Sequence, residues 1–557
     1  MKFLLGGYAE PVERRVARLV EGHAASRIFE RDAAFWGGDD ARRRSVASRL
    51  GWLTLASQMQ AHAGEFDVFA ADVRAGFDQC VLLGMGGSSL APEVLARIFG
   101  ARRLHVVDTT DPATIADVAG RVNPARTLFF VSSKSGTTVE ALTLFAFFRE
   151  RVARAKGDRA GENFVAVTDA GTPLETLARD HAFRRVFINP ADIGGRYSAL
   201  SYFGLAPAAA AGVDVAGLLA SGVAAADAAR AGRSDALVLG AALGELALEG
   251  RDKLTFLVEP SLAAFGLWAE QLIAESTGKL GRGIVPVDGE PQASPRGYRH
   301  DRVFVQVRRE AGENGEIDAF AGALAAEGHP VVVIDIEEPR DLGGLFFGWE
   351  FAVAVAGQAL DINPFDEPNV QESKDNTRRV LEEFERTHAL DPAGTQRDGA
   401  LALDPAGEVL GLEPAVAKLL SAVGPRAYLA ITAYVLDDDA SARAFAEIRK
   451  RVLEATGAAT TLGYGPRFLH STGQLHKGGP PEGVFLQVTA DDAADLPIPG
   501  YPYTFGQLKR AQAIGDLQSL HAHGRPALRV HLGADRRAGL GRLVEAVRQA
   551  TAARAKG

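Results

Sequence analysis

Val131-Ser132-Ser133-Lys134-Ser135-Gly136-Thr137-Thr138-Val139-Glu140 follows an apolar run, Thr127-Leu128-Phe129-Phe130, and opens an apolar-periodic segment over residues 141–148. The pattern predicts a buried strand, a hydroxyl-rich turn and a helix. A helix N-terminus offers unpaired backbone N–H groups and the positive end of the macrodipole; here serine and threonine hydroxyls and the Lys134 charge add to both. That combination suits a phosphate. The turn has neither a Walker lysine nor a spaced glycine triplet, which points to a monophosphate rather than a nucleotide. An ordinary capped helix gives a similar start, because Thr137 and Glu140 have capping-box spacing. The surrounding chain decides between the two.

Around this turn, short apolar runs alternate with helical patterns. Val81-Leu82-Leu83 leads into Gly84-Met85-Gly86-Gly87-Ser88-Ser89 and a helix near Pro92; His105-Val106-Val107 ends at Asp108-Thr109-Thr110; Phe164-Val165-Ala166-Val167 ends at Thr168-Asp169. Buried strands alternating with helices predict a parallel, doubly wound sheet with its ligand beyond the carboxyl ends of the strands. After an Ala/Gly-rich helical stretch over residues 205–249, candidate strands at 254–258, 303–307 and 331–335 repeat the plan and suggest an internal duplication. Residues 1–78 read as a helical lead-in with Trp36 and Trp52 as packing residues, and polar sequence over 390–413 reads as an excursion or boundary. Candidate strands at 427–434, 485–488 and 528–532 around a helix at 440–456 make a third, smaller α/β unit. The domain reading is therefore 1–78, 79–249, 250–390 and 391–557.

A chain of 557 residues with 47% apolar and 24% charged residues has the composition of a multidomain globular protein. The net charge of −9 argues against non-specific nucleic-acid binding. A lone cysteine, Cys80, excludes an intramolecular disulfide and fits a reducing cytoplasm, and there is no Cys/His pattern with zinc spacing. The apolar run near the N-terminus is short for a secretory signal, and no membrane-spanning segment is expected.

Four further segments carry candidate chemistry. The glycines of the 84–89 turn permit close backbone approach to a ligand. Arg196, in Gly194-Gly195-Arg196-Tyr197-Ser198, can neutralise developing oxyanion charge, or simply form a salt bridge. Glu275, in Glu275-Ser276-Thr277-Gly278-Lys279, ends an apolar helix, where the negative helix pole favours a raised pKa and a general-base role; an exposed helix-end glutamate is the bland alternative. Lys374 follows the loop Asn363-Pro364-Phe365-Asp366-Glu367-Pro368-Asn369 and would otherwise be a solvated helix residue. His470, His476 and Lys477 lie in a Gly-rich stretch, 463–480, where titratable density favours function over packing.

Together the Gly-Gly-Ser, Ser-Lys-Ser-Gly-Thr-Thr, Gly-Gly-Arg-Tyr-Ser and Glu-Ser-Thr-Gly-Lys segments resemble the glucose-6-phosphate isomerase family, with two sugar-isomerase (SIS-type) α/β subdomains. Phe468-Leu469-His470-Ser471-Thr472-Gly473-Gln474 resembles the isomerase part of transaldolase/glucose-6-phosphate isomerase fusion proteins. The resemblance implies that Ser132, Lys134, Ser135, Thr137 and Thr138 hold the phosphate and that Gly86, Gly87 and Ser88 line the sugar. It implies Glu275 as the base between C2 and C1, Arg196 as the enediolate stabiliser and Lys374 as a lysine near the ring oxygen. For ring opening, chain order favours His300, in Tyr298-Arg299-His300-Asp301-Arg302, whereas the local motif favours His470, which is preferred. The implied protein is a cytoplasmic homodimer of glycolysis and gluconeogenesis, using no metal or organic cofactor and binding neither nucleic acid nor membrane. A dual glucose/mannose 6-phosphate isomerase would share every one of these motifs; a non-catalytic sugar-phosphate sensor would keep the phosphate turn but needs no base, and Glu275, Arg196 and Lys374 together argue against it.

Overall fold

The computed structural model describes residues 1–387, 390, 395–405 and 411–554, so the expected excursion at 390–413 falls partly outside the described residues. Three sheets organise the described residues. In the first, Leu104–Val107, Gln79–Leu83, Thr127–Ser132, Phe164–Asp169 and Arg185–Asn189 lie side by side, all parallel. Its central strands are apolar almost throughout because both faces are covered. Leu128 and Phe130 enter one core while Phe129 and Val131 enter the opposite one.

The second sheet runs Lys2–Leu4, Val331–Ile336, Arg302–Arg309, Lys253–Val258, Val285–Val287, and only Lys2–Leu4 is antiparallel. The N-terminal lead-in is thus mainly helical and adds one three-residue strand that completes this edge. The third sheet runs Gln396–Asp398, Leu401–Pro405, Ala527–His531, Gly483–Thr489, Tyr428–Tyr434, Thr460–Tyr464. Numbering the parallel strands of each sheet in chain order gives the spatial order 2-1-3-4 in all three, extended by a parallel fifth strand in the first and by antiparallel strands in the others. The expected repetition of plan is present, and it also includes the C-terminal unit.

Packing then fixes the site. Trp36 stacks edge-on to Phe365 at 5.1 Å, and Trp52 lies 5.3 Å from Tyr197 and 6.3 Å from Phe365. Among the described residues one helical stretch, Pro339–Ala359, is long and apolar enough to cross a membrane by length and composition, but it is mostly buried, its helix Leu342–Ala359 packing against Val215–Arg230 and Asp235–Leu248. In the C-terminal unit the stretch 463–480 forms a short turn, Arg467–His470, and a helix, Gly473–Gly478. Arg525 ties that helix down by donating to the carbonyls of His476, Lys477, Gly479 and Pro480. Lys477 and Asp516, both essentially unexposed, pair at 2.9 Å.

Removing one partner of a buried pair strands the other charge, at a cost of about 3–5 kcal/mol. Asp516→Ala should therefore lower the stability of the chain by about that amount in urea denaturation. A midpoint equal to wild type would show that Lys477 does not depend on this partner.

Candidate active site

The strand–turn–helix units bring most of the chemistry-bearing segments to one place. Beyond Leu83 the chain enters the Gly86–Ser88 turn, where Gly86 has φ +55°. A Cβ on Gly86 would meet the His470 carbonyl oxygen at 2.6 Å and Gln271 Nε2 at 3.0 Å; a Cβ on Gly87 would run into the Gly195 carbonyl. These two glycines are where the Gly195–Tyr197 turn, the helix Phe265–Thr277 and the C-terminal unit close on one another. Ser88, in the same turn, is buried.

Glu275 is buried rather than exposed at its helix end. Gln271, one turn earlier, donates Nε2 to Glu275 Oε2 at 3.0 Å and to the His470 carbonyl at 2.9 Å. Arg196 is buried as well: Nε donates to Ser276 Oγ (2.7 Å), Nη2 to the carbonyls of Pro364 (2.8 Å) and Asp366 (2.9 Å), and Nη1 to Glu367 Oε2 (3.0 Å). Its Nη1 lies 3.8 Å from Glu275 Oε1. Burial pushes the Glu275 pKa up, and the Glu367 charge adds to this against the opposing Arg196. Lys279 donates to the Asn363 carbonyl and the Asp366 carboxylate, each at 2.8 Å, and burial brings its pKa down to about 8.

A cavity of about 330 Å³ opens beside this cluster, lined by Thr137, Thr138, Glu140, Lys374, His470 and Gln512 among others. His470 Nε2 meets Glu140 Oε1 at 3.0 Å, and the same oxygen accepts Gln512 Nε2 at 2.7 Å. Thr110 Oγ1 donates to Gln512 Oε1 at 2.8 Å, which turns the amide's NH₂ toward Glu140. Burial alone would raise the Glu140 pKa, but the His470 ring and Lys374 hold it below the usual range. Glu140 was hidden in the sequence by its capping-box spacing. The helix Val139–Lys156 instead starts from Thr138 with no side-chain cap, leaving Glu140 to face His470.

The hydroxyl turn divides. Ser135 Oγ and Thr137 Oγ1 share a hydrogen bond at 2.9 Å, and Ser133 Oγ bonds Thr138 Oγ1 at 2.8 Å. Lys134 turns to the Asp169 carboxylate and, at 3.3 Å, the Ala191 carbonyl. Ser132 is fully buried, and its hydroxyl has no hydrogen-bond partner among the described residues. His300 is exposed just before Arg302–Arg309, at the amino edge of its sheet, with its ring 6.2 Å from that of His329. His476 is buried between Phe468 and Phe485, which holds its pKa far down through desolvation. Of the histidines in the 463–480 stretch, His470 lines the cavity.

A probable glucose-6-phosphate isomerase of Natronomonas pharaonis is 33% identical over 358 residues, covering 57% of this chain and 83% of that relative. The chain belongs to the glucose-6-phosphate isomerase family. The phosphoglucose isomerase family model matches residues 57–281. A glucose-6-phosphate isomerase of Rubrobacter xylanophilus is 31% identical over 349 residues, 53% of this chain and 80% of the relative. Among solved structures, a hypothetical protein of Thermus thermophilus superposes with a TM-score of 0.58 at 26% identity, covering 68% of this chain and 99% of that one. A glucose-6-phosphate isomerase from Chlamydia trachomatis shares the fold, with a TM-score of 0.51 at 23% identity over 60% of this chain and 75% of that one.

In this member of the glucose-6-phosphate isomerase family, contact between the two glycine turns leaves no room for a side chain. Gly87→Ala should cost about 1–3 kcal/mol through overpacking against a backbone carbonyl, read as a lowered thermal midpoint. An unchanged midpoint would mean the turns separate without penalty.

Proposed function

We propose that the chain interconverts glucose 6-phosphate and fructose 6-phosphate through an enediolate, with Glu275 as the base. The observation that carries this reading is a buried carboxylate of raised basicity, 3.8 Å from a buried guanidinium and one glutamine away from the residue, His470, that lines the cavity. A proton-transfer site needs such a base, whereas a sugar-phosphate sensor does not.

The hydroxyls of Ser135, Thr137 and Thr138, at the start of a helix that follows a parallel strand, suit the phosphate, with Ser132 and Lys134 as supporting groups of the same turn. Gly86, Gly87 and Ser88 bring backbone close to the sugar. Ring opening breaks the C1–O5 bond; a proton reaches O5 and another leaves the C1 hydroxyl. His470, held by anionic Glu140, carries that proton, and Lys374 faces the same cavity. Glu275 then removes the C2 proton, its bonding electrons form C1=C2, and the carbonyl oxygen takes the negative charge beside Arg196. Return of the proton from Glu275 to C1, with the O2–H proton passing to O1, leaves the ketone at C2. A cytoplasmic homodimer serving glycolysis and gluconeogenesis is the setting that the family resemblance supports.

Glu275→Gln keeps shape and cannot accept the proton, so kcat should fall by roughly 10²–10⁴-fold while a non-isomerisable sugar phosphate still binds. Near wild-type turnover in a coupled isomerase assay would remove Glu275 from the role. His470→Ala should slow cyclic substrate far more than substrate supplied in open-chain form, and His300→Ala should change neither; the reverse pattern would transfer ring opening to His300.

A further inference from the structure

We propose that Glu367 is a positioning residue for the isomerisation: its carboxylate holds the Arg196 guanidinium off Glu275 and so keeps the base free to take a proton. Arg196 Nη1 is 3.0 Å from Glu367 Oε2 and 3.8 Å from Glu275 Oε1, so two carboxylates compete for one guanidinium edge and Glu367 wins. The other Arg196 donors are spent on Ser276 Oγ and two backbone carbonyls, which prevents the guanidinium from turning to serve both acids equally.

Glu367 is itself fixed from outside. Arg49 Nη1 donates to Glu367 Oε2 at 2.9 Å and Oε1 at 3.1 Å, and also to the Phe365 carbonyl at 2.8 Å. Glu367 and Arg49 are each 32% exposed in their side chains, whereas Arg196 is 1% exposed, so the strongest field at Arg196 comes from carboxylates and not from water. Although burial pushes the Glu367 pKa up, Arg196 and Arg49 hold it below the usual range, so this residue is the permanent anion of the pair. If its charge were removed, Glu275 would be the carboxylate left within reach of Arg196. A glutamate drawn into that ion pair holds a proton less readily.

The charged groups around Glu275 come from three directions. Arg196 reaches it from the Gly195–Tyr197 turn, with the buried Tyr197 hydroxyl behind; Lys279 follows Glu275's own helix and is neutralised by Asp366; Glu367 comes from the 363–369 loop. His470 presents its carbonyl through Gln271, while its ring is turned to Glu140. Of the carboxylates here, Glu367 is the one that can change the Arg196–Glu275 balance directly.

The inference rests on Glu275 as the base, and the test separates the two. In Glu367→Gln, the acidic limb of the kcat/KM profile should move to lower pH by about one unit, and kcat should fall about tenfold, because loss of the anion lowers the Glu275 pKa. Glu367→Asp, which keeps the charge, should return the limb toward wild type, a response that a merely structural residue would not give. Arg49→Gln should move the limb the other way, to higher pH, by leaving Glu367 undivided on Arg196. It supplies the test if Glu367→Gln does not fold. A folded Glu367→Gln with an unmoved or raised limb, or an Arg49→Gln limb that falls or stays, overturns the proposal. An active Glu275→Gln would instead overturn the base assignment beneath it.

Discussion

A guanidinium without water must be surrounded by acceptors, and that requirement at Arg196 ties the molecule together. Removing such a cation from solvent costs several kcal/mol unless every donor finds a partner in good geometry. The partners come from segments far apart in sequence: Ser276 on the helix that carries Glu275, the carbonyls of Pro364 and Asp366, and Glu367. The same loop leads into Val370–Thr387, which carries Lys374. Satisfying one buried charge therefore sets the placement of Glu275, Arg196 and the helix that carries Lys374 relative to one another. Trp36 and Trp52 close the apolar side by packing on Phe365 and Tyr197.

The repeated strand order explains why a site can be assembled from three units. A doubly wound sheet places its chemistry at the carboxyl ends of its strands, next to the point where strand order reverses. The first unit uses two such turns, after Gln79–Leu83 and after Thr127–Ser132. The second contributes a helix, Phe265–Thr277, and the third contributes the turn Arg467–His470 after Thr460–Tyr464. Gln474 fastens this third contribution by donating to the Gly278 carbonyl at 2.9 Å and accepting from the Asn369 N–H at 2.8 Å. His470 thus belongs to the site through docking of a whole unit, which is why its position after Lys374 in the chain is no obstacle.

What the sequence showed, it showed through local rules. The long apolar strands, the hydroxyl turn and the glycine turns carry their signal within a few residues, and all lie where that signal places them. Short or edge strands carry less: Lys2–Leu4 and Val285–Val287 span three residues each, and Arg185–Asn189 mixes half-buried, buried and exposed positions. The helix-end position of Glu275 gave the direction of its shift but not its cause, because it says nothing of burial, of Arg196, 3.8 Å away, or of Glu367 beyond it. Glu140 was obscured in the opposite way, by a local pattern that explained it too well. Lys134 read as a phosphate ligand, yet Asp169, from the next strand, takes its ammonium.

Two buried glutamates therefore stand on either side of His470 in opposite electrostatic states. Glu275 accepts Gln271 and faces an arginine whose charge is shared with Glu367, so burial prevails and its pKa rises. Glu140 accepts His470 and Gln512 on one oxygen, the cations around it outweigh its burial, and its pKa falls. Where environments push two carboxyl groups apart, their roles divide: the one of raised pKa exchanges protons, and the one of lowered pKa stays charged to stabilise a cation. The Gln271 side-chain amide, donating both to Glu275 and to the His470 carbonyl, holds the two residues at fixed spacing. His470, which lines the cavity, and Glu275, joined to it through Gln271, thus each have a charged partner of their own, Glu140 in one case and Arg196 in the other.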